Sequence, residues 1–210
     1  MSIPVFPETK VALKGKKGLI VGIANDQSIA WGCAKAFRAL GADLAVTYLN
    51  EKAKKHVEPL AKALESPIFV PLDVMVEGET EKVFERIGKE WGQLDFLLHS
   101  IAFSPKGALH GRVVDVDREG FQKTMDVSCW SFLRMAHLAE PLMKNGGTIF
   151  TMAPLFPGAN GWSELIFLIL VVKERTTLLS LEPCSRPLGI GVVRYGEQSV
   201  RGGRSTSIDP

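Results

Sequence analysis

The chain has 210 residues, of which 46% are hydrophobic and 23% charged, and this composition and length suit one folded globular domain with a substantial core. A net charge of +2 and the lack of a dense Lys/Arg stripe argue against nucleic-acid binding. The apolar run Leu165–Val172 has eight residues, whereas a membrane span needs about 20, and residues 1–10 lack the pattern of a signal peptide. We therefore expect a cytoplasmic protein without a membrane partner.

The cysteines support this expectation. The three of them, Cys33, Cys129 and Cys184, are odd in number and lack the CxxC spacing typical of metal sites. We therefore expect free thiols in a reducing compartment and no bound metal.

Strand and helix patterns alternate along the first 152 residues. The predicted strands are short apolar runs at 18–22, 43–49, 67–74, 94–103 and 146–152. The predicted helices have apolar residues at helical spacing and cover 28–40, 51–64, 77–91 and 118–143, with a break or kink near Pro59. Apolar strands separated by helices pair in parallel, so the chain is predicted to form one α/β domain over 1–210: a Rossmann-type doubly wound parallel sheet with helices on both faces.

The character of the sequence changes after Met152. The Pro/Gly-rich stretch "APLFPGANG" predicts a loop, and "GIGVVRY" at 189–195 is the candidate for a sixth strand. Residues 196–210 have no apolar periodicity and are predicted to be loop or tail. The C-terminal part is thus expected to be irregular and to lack the last strand.

The segment "GLIVGIANDQSIAWG" joins the first predicted strand to the first predicted helix. The usual dinucleotide fingerprint has three glycines, whereas here Gly22 is followed by the small residues Ala24, Ser28 and Ala30. Small residues allow the backbone to approach a pyrophosphate at a helix N-terminus. A plain strand–turn–helix with Ser28 as the N-cap explains the segment nearly as well.

Three further strand ends carry residues that suit a nucleotide. The second strand ends at Leu49, near the expected adenosine ribose, and the third at Asp73 and Val74, which suit an adenine. The fourth ends at small residues, Ser100 and Ala102, with Ile101 between them. Each has a structural explanation, a turn cap for Asp73 and packing for the small residues, but their order along the chain predicts a nucleotide site.

The stretches "GIANDQSIAWG", "VTYLNEK", "PLDV", "LLHSIAFSPK", "MDVSCWSF" and "GGTIFTM" resemble the enoyl-acyl-carrier-protein reductases of the short-chain dehydrogenase/reductase superfamily. The resemblance covers residues 15–152. It implies a Rossmann subunit, usually tetrameric, that uses NADH to reduce trans-2-enoyl thioesters carried by acyl carrier protein in bacterial fatty-acid synthesis. It also implies the residues around the cofactor: Gly22, Ile23, Ala24, Ser28 and Ile29 at the pyrophosphate, Asp73 and Val74 at the adenine, and Ser100, Ile101 and Ala102 at the nicotinamide.

The cofactor's ribose site leaves two possibilities open. Leu49 stands where many NADH-using members of the family have glutamine, and no acidic residue is there to hold a ribose 2′-hydroxyl. Lys52 and Lys54 are close by. The resemblance favours NADH as the cofactor, and NADPH is the alternative.

The family's catalytic helix carries a tyrosine followed, seven positions later, by a lysine. The register places Lys173 at the lysine and Ile166 at the tyrosine. The resemblance thus implies a helix over 164–174 in which Lys173 binds the nicotinamide ribose, while the hydroxyl that hydrogen-bonds the enolate oxygen is missing. A buried helix or strand with a chance lysine is the alternative.

These observations leave three functions open. The first is an enoyl reductase whose catalysis is impaired; the others are a non-catalytic NAD-binding relative and another short-chain reductase with a different proton donor. The residue types after about position 160 depart from the family pattern, which has two explanations: a shifted reading frame or divergence of a non-catalytic relative.

The helix over 118–143 has more apolar residues than one sheet face needs, which predicts a homodimer or homotetramer. They are Phe121, Met125, Val127, Phe132, Leu133 and Met135.

Overall fold

The computed structural model describes residues 12–110, 112–154, 165–173 and 176–183. The strands are β1 (Lys17–Val21), β2 (Asp43–Tyr48), β3 (Ile68–Pro71), β4 (Phe96–His99), β5 (Gly147–Pro154), β6 (Leu165–Lys173) and β7 (Thr176–Pro183). The α-helices are α1 (Ile29–Ala39), α2 (Glu51–Ala63), α3 (Glu79–Trp91), α4 (Arg118–Met125) and α5 (Ser131–Ala139).

The strands form one sheet in the order β3-β2-β1-β4-β5-β6-β7, and β1 to β5 are parallel. From β1 the chain builds outward through β2 and β3, then returns to the other side of β1 for β4 and β5. This is the strand order of a doubly wound Rossmann sheet. The predicted fold class is confirmed.

Each face of the sheet carries its own hydrophobic core. Alternate residues of a strand point to opposite faces, so Leu19 and Leu97 pack beneath α3 and α5, while Ile20 and Leu98 pack beneath α1 and α2. All four of these side chains are buried. Burial on both faces is what the apolar runs of the sequence predicted, and it leaves the strand ends as the place for polar chemistry.

Two helical predictions need correction. Of the break or kink predicted near Pro59, the break is wrong, because α2 runs through Pro59 and buries Val57 and Ala61 on either side of it, and the kink stays a prediction. The long predicted helix contains α4, a π turn (Asp126–Trp130) and α5, and it closes with a 3₁₀ turn. In the π turn the Ser131 N–H donates to the carbonyl of Asp126, five residues back.

The predicted helix over 164–174 is also wrong. Residues Leu165–Lys173 form β6, which pairs antiparallel with β5, and β7 pairs antiparallel with β6. The physical reason is composition: eight consecutive apolar residues, several of them β-branched, offer no polar face to a helix and suit a strand. The sequence predicted no strand at Thr176–Pro183. The candidate strand at 189–195 and the candidate tail at 196–210 lie outside the described residues.

No helix in the described part of the chain is long and apolar enough to cross a membrane. Cys33 and Cys129 are free thiols, and burial raises the pKa of Cys33. Cys184 lies outside the described residues.

Candidate nucleotide-binding site

The carboxyl ends of β1 and β4 meet at Gly22 and Ser100, where the strand order reverses. Gly22 has a φ of +105°, and a Cβ atom added there would lie 2.0 Å from the Ser100 carbonyl oxygen. The Ser100 N–H donates to the carbonyl of Val21 at 2.9 Å. Only glycine fits here, since both the backbone conformation and the close approach exclude a side chain. In open α/β sheets, ligands bind in the crevice at this point.

The loop after Gly22 is held in shape by Ser28. Its Oγ accepts hydrogen bonds from the N–H groups of Ala24 and Asn25, each at 3.0 Å, and Asn25 Oδ1 accepts from the N–H of Gln27 at 2.9 Å. Ser28 occupies the N-cap position of α1, but its side chain makes no capping hydrogen bond. The first N–H groups of α1, beginning with Ile29, therefore remain directed at this end of the helix, as an anion site requires.

The side chains of this loop differ in exposure. Ala24 is exposed and Ile29 is 49% exposed, whereas Ile23 is buried in the core beneath α1. Ile23 can therefore present only its backbone to a ligand. The loop also exposes the polar side chains of Asn25 and Gln27 and one carboxylate, Asp26.

At the end of β2, Leu49 is 53% exposed. The next residue, Asn50, caps α2, because its Oδ1 accepts from the Ala53 N–H at 3.0 Å. The edge where an adenosine ribose would lie thus presents an apolar side chain, and the neighbouring amide is already used by the helix.

Lys54 is held by partners of its own near that edge. Its Nζ lies 5.4 Å from the centre of the Tyr48 ring and 3.4 Å from the carboxylate of Glu51. Glu51 and then Tyr48 raise the pKa of Lys54. Of the two lysines that follow Leu49 in the sequence, Lys52 and Lys54, Lys54 is therefore paired within the protein.

At the end of β3, Asp73 shapes the turn that leads to α3. Its Oδ1 accepts from the Met75 N–H at 2.9 Å, and its own N–H donates to Glu79 Oε2 at 2.7 Å. Val74 is partly buried against the core. The turn-cap explanation of Asp73 is thus observed, and it leaves the carboxyl group at the same edge as Leu49 and Gly22.

At the end of β4 the small residues lie where the sequence placed them. Ser100 Oγ donates to Met152 Sδ at 3.4 Å, which links the ends of β4 and β5. Ile101 packs against the core, and Ala102 is exposed.

A buried histidine, which no sequence pattern predicted, lies just beneath this edge. His99 Nδ1 is 3.0 Å from Thr151 Oγ1, and His99 Nε2 is 2.8 Å from Ser131 Oγ. Burial lowers the pKa of His99 to about 4, so the imidazole is neutral at pH 7. Its ring also meets the ring of Phe132 edge-on, with 5.5 Å between centres.

The structure separates two of the predicted site residues. In β6, Ile166 pairs with Ala153 near the carboxyl end of β5, whereas Val172 pairs with Gly147, the first residue of β5. Lys173 therefore lies at the opposite edge of the sheet, about 23 Å along the strand at about 3.3 Å per residue. Contrary to the register that implied a shared helix face, Lys173 is not beside the crevice.

With its switch point between β1 and β4 and a close glycine turn leading into α1, the chain has the architecture of a Rossmann-type dinucleotide-binding protein. More particularly, the chain belongs to the enoyl-(acyl carrier protein) reductase family, whose family model matches residues 22–161. The resemblance seen in the sequence is thereby confirmed.

Known relatives match the same part of the chain. The enoyl-(acyl-carrier-protein) reductase (NADH) 2 of Rhizobium meliloti is 46% identical over 140 residues, which are 67% of this chain and 52% of that protein. The crystal structure of the reductase from Anaplasma phagocytophilum in complex with NAD is 49% identical, with a TM-score of 0.66 over 68% of this chain and 55% of that one. The chain therefore spans about half the length of the curated relatives it matches.

A third relative differs in its nucleotide. The Bacillus cereus reductase, crystallised with NADP⁺ and an indole naphthyridinone, is 36% identical, with a TM-score of 0.65 over 67% of this chain and 56% of that one.

Proposed function

We propose that this chain binds NADH in the crevice between β1 and β4 and is the nucleotide-binding part of an enoyl-thioester reductase. The observation that carries the proposal is the approach of Gly22 to the Ser100 carbonyl at the switch point. This approach closes the turn so tightly that the loop can present backbone, rather than side chains, to a pyrophosphate.

The residues at this edge fit the parts of a dinucleotide. We expect the pyrophosphate beside the backbone of Ile23 and Ala24 and the first turn of α1 at Ile29, with Ser28 holding the loop. We expect the adenosine beside Leu49, Asp73 and Val74, and the nicotinamide beside Ser100, Ile101 and Ala102. These groups lie at the carboxyl ends of β1 to β4, in the order that a dinucleotide spans.

Two observations favour NADH over NADPH. Relatives from Rhizobium and Rickettsia carry NADH in their names. In this chain, Lys54 is paired with Glu51 and Tyr48, so a 2′-phosphate would have to displace it from those partners. Because the Bacillus cereus relative was crystallised with NADP⁺, the affinities of this chain for NADH and NADPH should both be measured.

The reaction we infer is reduction of a trans-2-enoyl thioester carried by acyl carrier protein, for which bound NADH would supply the hydride. The chain's own task would be to hydrogen-bond the enolate oxygen that develops. Of the two tyrosines in the chain, Tyr48 is buried in β2, with its ring centre 4.7 Å from that of Phe69. Tyr195 lies outside the described residues.

We therefore expect reduction near background in this chain. Loss of one such donor costs roughly 10²–10³ in rate. A second candidate function, NADH binding without turnover, is favoured by the same observation, since Tyr48 is the one tyrosine among the described residues and it is buried in β2. A reductase of other carbonyl substrates, with another proton donor, is the third.

Calorimetric titration with NADH tests the binding. Ala24→Asp places a carboxylate on the exposed loop surface and should weaken NADH binding at least tenfold, because two like charges about 4 Å apart repel strongly even near a protein surface. Asn145→Asp, which adds the same charge at an exposed position on the amino edge of the sheet, is the control and should have no effect. Binding that is absent in the folded wild type, or equal in both variants, would refute the proposed site.

An assay with a crotonyl thioester then separates the three functions. NADH binding with slow but measurable enoyl reduction supports an impaired reductase. Binding with no turnover supports the non-catalytic relative, and reduction of ketones alone supports the third function.

We also infer that copies of the chain associate through the exposed face of α4 and α5. Of the six apolar residues predicted there, Val127, Phe132 and Met135 are buried. The other three, together with one tryptophan of the same segment, have side chains that are between 40% and 59% exposed. They are Phe121, Met125, Trp130 and Leu133.

A further inference from the structure

We propose that His99 is a positioning residue. Through Ser131 it fixes the π turn between α4 and α5, and the π turn in turn holds the loop 100–103 at the nicotinamide end of the crevice. The consequence for cofactor affinity rests on the NADH binding proposed above, whereas the consequence for the loop does not.

The donor and acceptor in each hydrogen bond around His99 follow from the bonds of Ser131. Ser131 Oγ donates its single proton to the carbonyl of Val127 at 2.7 Å, so it can only accept from His99 Nε2. The neutral imidazole therefore carries its proton on Nε2, and Nδ1 accepts from the hydroxyl of Thr151. The residues of this network are at least 90% buried, so water does not replace a lost hydrogen bond. They are His99, Ser131, Thr151 and Val127.

This chain of hydrogen bonds attaches the π turn to the sheet. Ser131 uses its N–H for the carbonyl of Asp126 and its hydroxyl for the carbonyl of Val127. The same hydroxyl oxygen accepts from Nε2 of His99, which belongs to β4. The irregular turn is thus fixed at the residue that closes it, by a group from the central part of the sheet.

The same turn holds the loop that follows β4. Ser128 Oγ lies 3.2 Å from the N–H of Phe103, from which it accepts, and 3.3 Å from the carbonyl of Phe103. The other end of the loop is held by the Ser100 N–H, which donates to Val21. Ser100, Ile101 and Ala102 lie between these two anchors, so the position of the π turn sets the position of the loop.

A packing role alone is the competing explanation, since His99 also contacts Phe132 edge-on. The two explanations differ in what a substitution at 99 must preserve. The amide of glutamine reaches the place of Nε2 and can donate to Ser131, whereas the amide of asparagine reaches only the place of Nδ1, beside Thr151. His99→Gln and His99→Asn are thus matched variants that both remove the ring.

The test measures hydrogen exchange of the Phe103 amide by NMR in protein labelled with ¹⁵N-phenylalanine, and NADH affinity by calorimetry. We expect His99→Asn to speed exchange at Phe103 and to weaken NADH binding roughly tenfold, the loss expected for one buried hydrogen bond. His99→Gln should stay within about threefold of the wild type in both measurements, since it keeps that bond.

Equal effects of the two variants, or no effect of either, would overturn the proposal. If His99→Asn does not fold, Ser128→Ala tests the proposal instead, because Ser128 is only partly buried and bonds Phe103 directly. The proposal requires faster exchange at Phe103 in this variant, and unchanged exchange refutes it. The exchange readout needs no cofactor. Absence of NADH binding in the wild type would therefore count against the proposed function and leave the exchange result to judge the role of His99.

Discussion

Replacing Gly22 by alanine should destabilise the fold more than a methyl group added at any other position along the carboxyl edge of the sheet. The added Cβ would lie 2.0 Å from the carbonyl oxygen and 2.5 Å from the carbonyl carbon of Ser100, and both are backbone atoms. A residue with a side chain at positive φ costs about 1–2 kcal/mol. Displacing Ser100 also strains its hydrogen bond to Val21, which contributes about 0.5–1.5 kcal/mol. With the displacement itself, Gly22→Ala should lower the free energy of unfolding by about 2–4 kcal/mol.

Gly32→Ala is the matched control for this measurement. Gly32 lies in α1, is exposed, and a Cβ added there meets no atom within 4 Å. Because alanine favours a helix over glycine, this variant should stabilise the protein by about 0.5–1 kcal/mol. Equilibrium unfolding in urea, followed by circular dichroism, measures both changes. A Gly22→Ala variant as stable as Gly32→Ala would mean that β1 and β4 do not approach as described.

Three further predictions concern other parts of the molecule. Burial holds the pKa of His99 at about 4, below the value of about 6.5 in the unfolded chain, so its contribution to stability is fully present above pH 6.5 and is lost as the pH falls toward 4. Between pH 7.5 and 5 the wild type should lose about 2 kcal/mol more than His99→Gln in urea unfolding, and equal losses would contradict the burial of a neutral imidazole. Lys173→Ala should leave NADH affinity within about twofold, because Lys173 lies at the amino edge of the sheet; a tenfold loss by calorimetry would favour the helix that the family register implies. Light scattering at micromolar concentration should give more than the 23.0 kDa of one copy, and Leu133→Glu should reduce it to one copy; a wild-type mass of 23.0 kDa would exclude association through this face.

The parallel sheet and its edge were predictable because their signals are repeated. Each strand is an apolar run, and Gly22, Asp73 and Ser100 follow such runs at the same relative place. The π turn was not predictable, since Asp126–Trp130 continues the helical pattern and only the hydrogen bonding changes. His99 is one polar residue in an apolar strand, and its partners Ser131 and Thr151 are distant in the sequence, so no local pattern indicates their contact.

The region after β5 was mispredicted for a different reason. The spacing of Lys173 from the family's tyrosine position predicts a helix, whereas the composition of the run between them favours a strand. Eight apolar residues without a polar face carry the stronger physical signal, and they form β6. The match of the family model also ends at residue 161, just before this run.

The outer strand β3 has a consequence for how copies of this protein can meet. It has four residues, Ile68–Pro71, and its only ladder partner among the described strands is β2. Only alternate residues of an edge strand turn their backbone groups outward, and Pro71 has no N–H to donate. A second chain could therefore form too few hydrogen bonds here to extend the sheet, which is the usual protection of a sheet against runaway edge-to-edge aggregation. Even at high concentration, copies should therefore not join through β3.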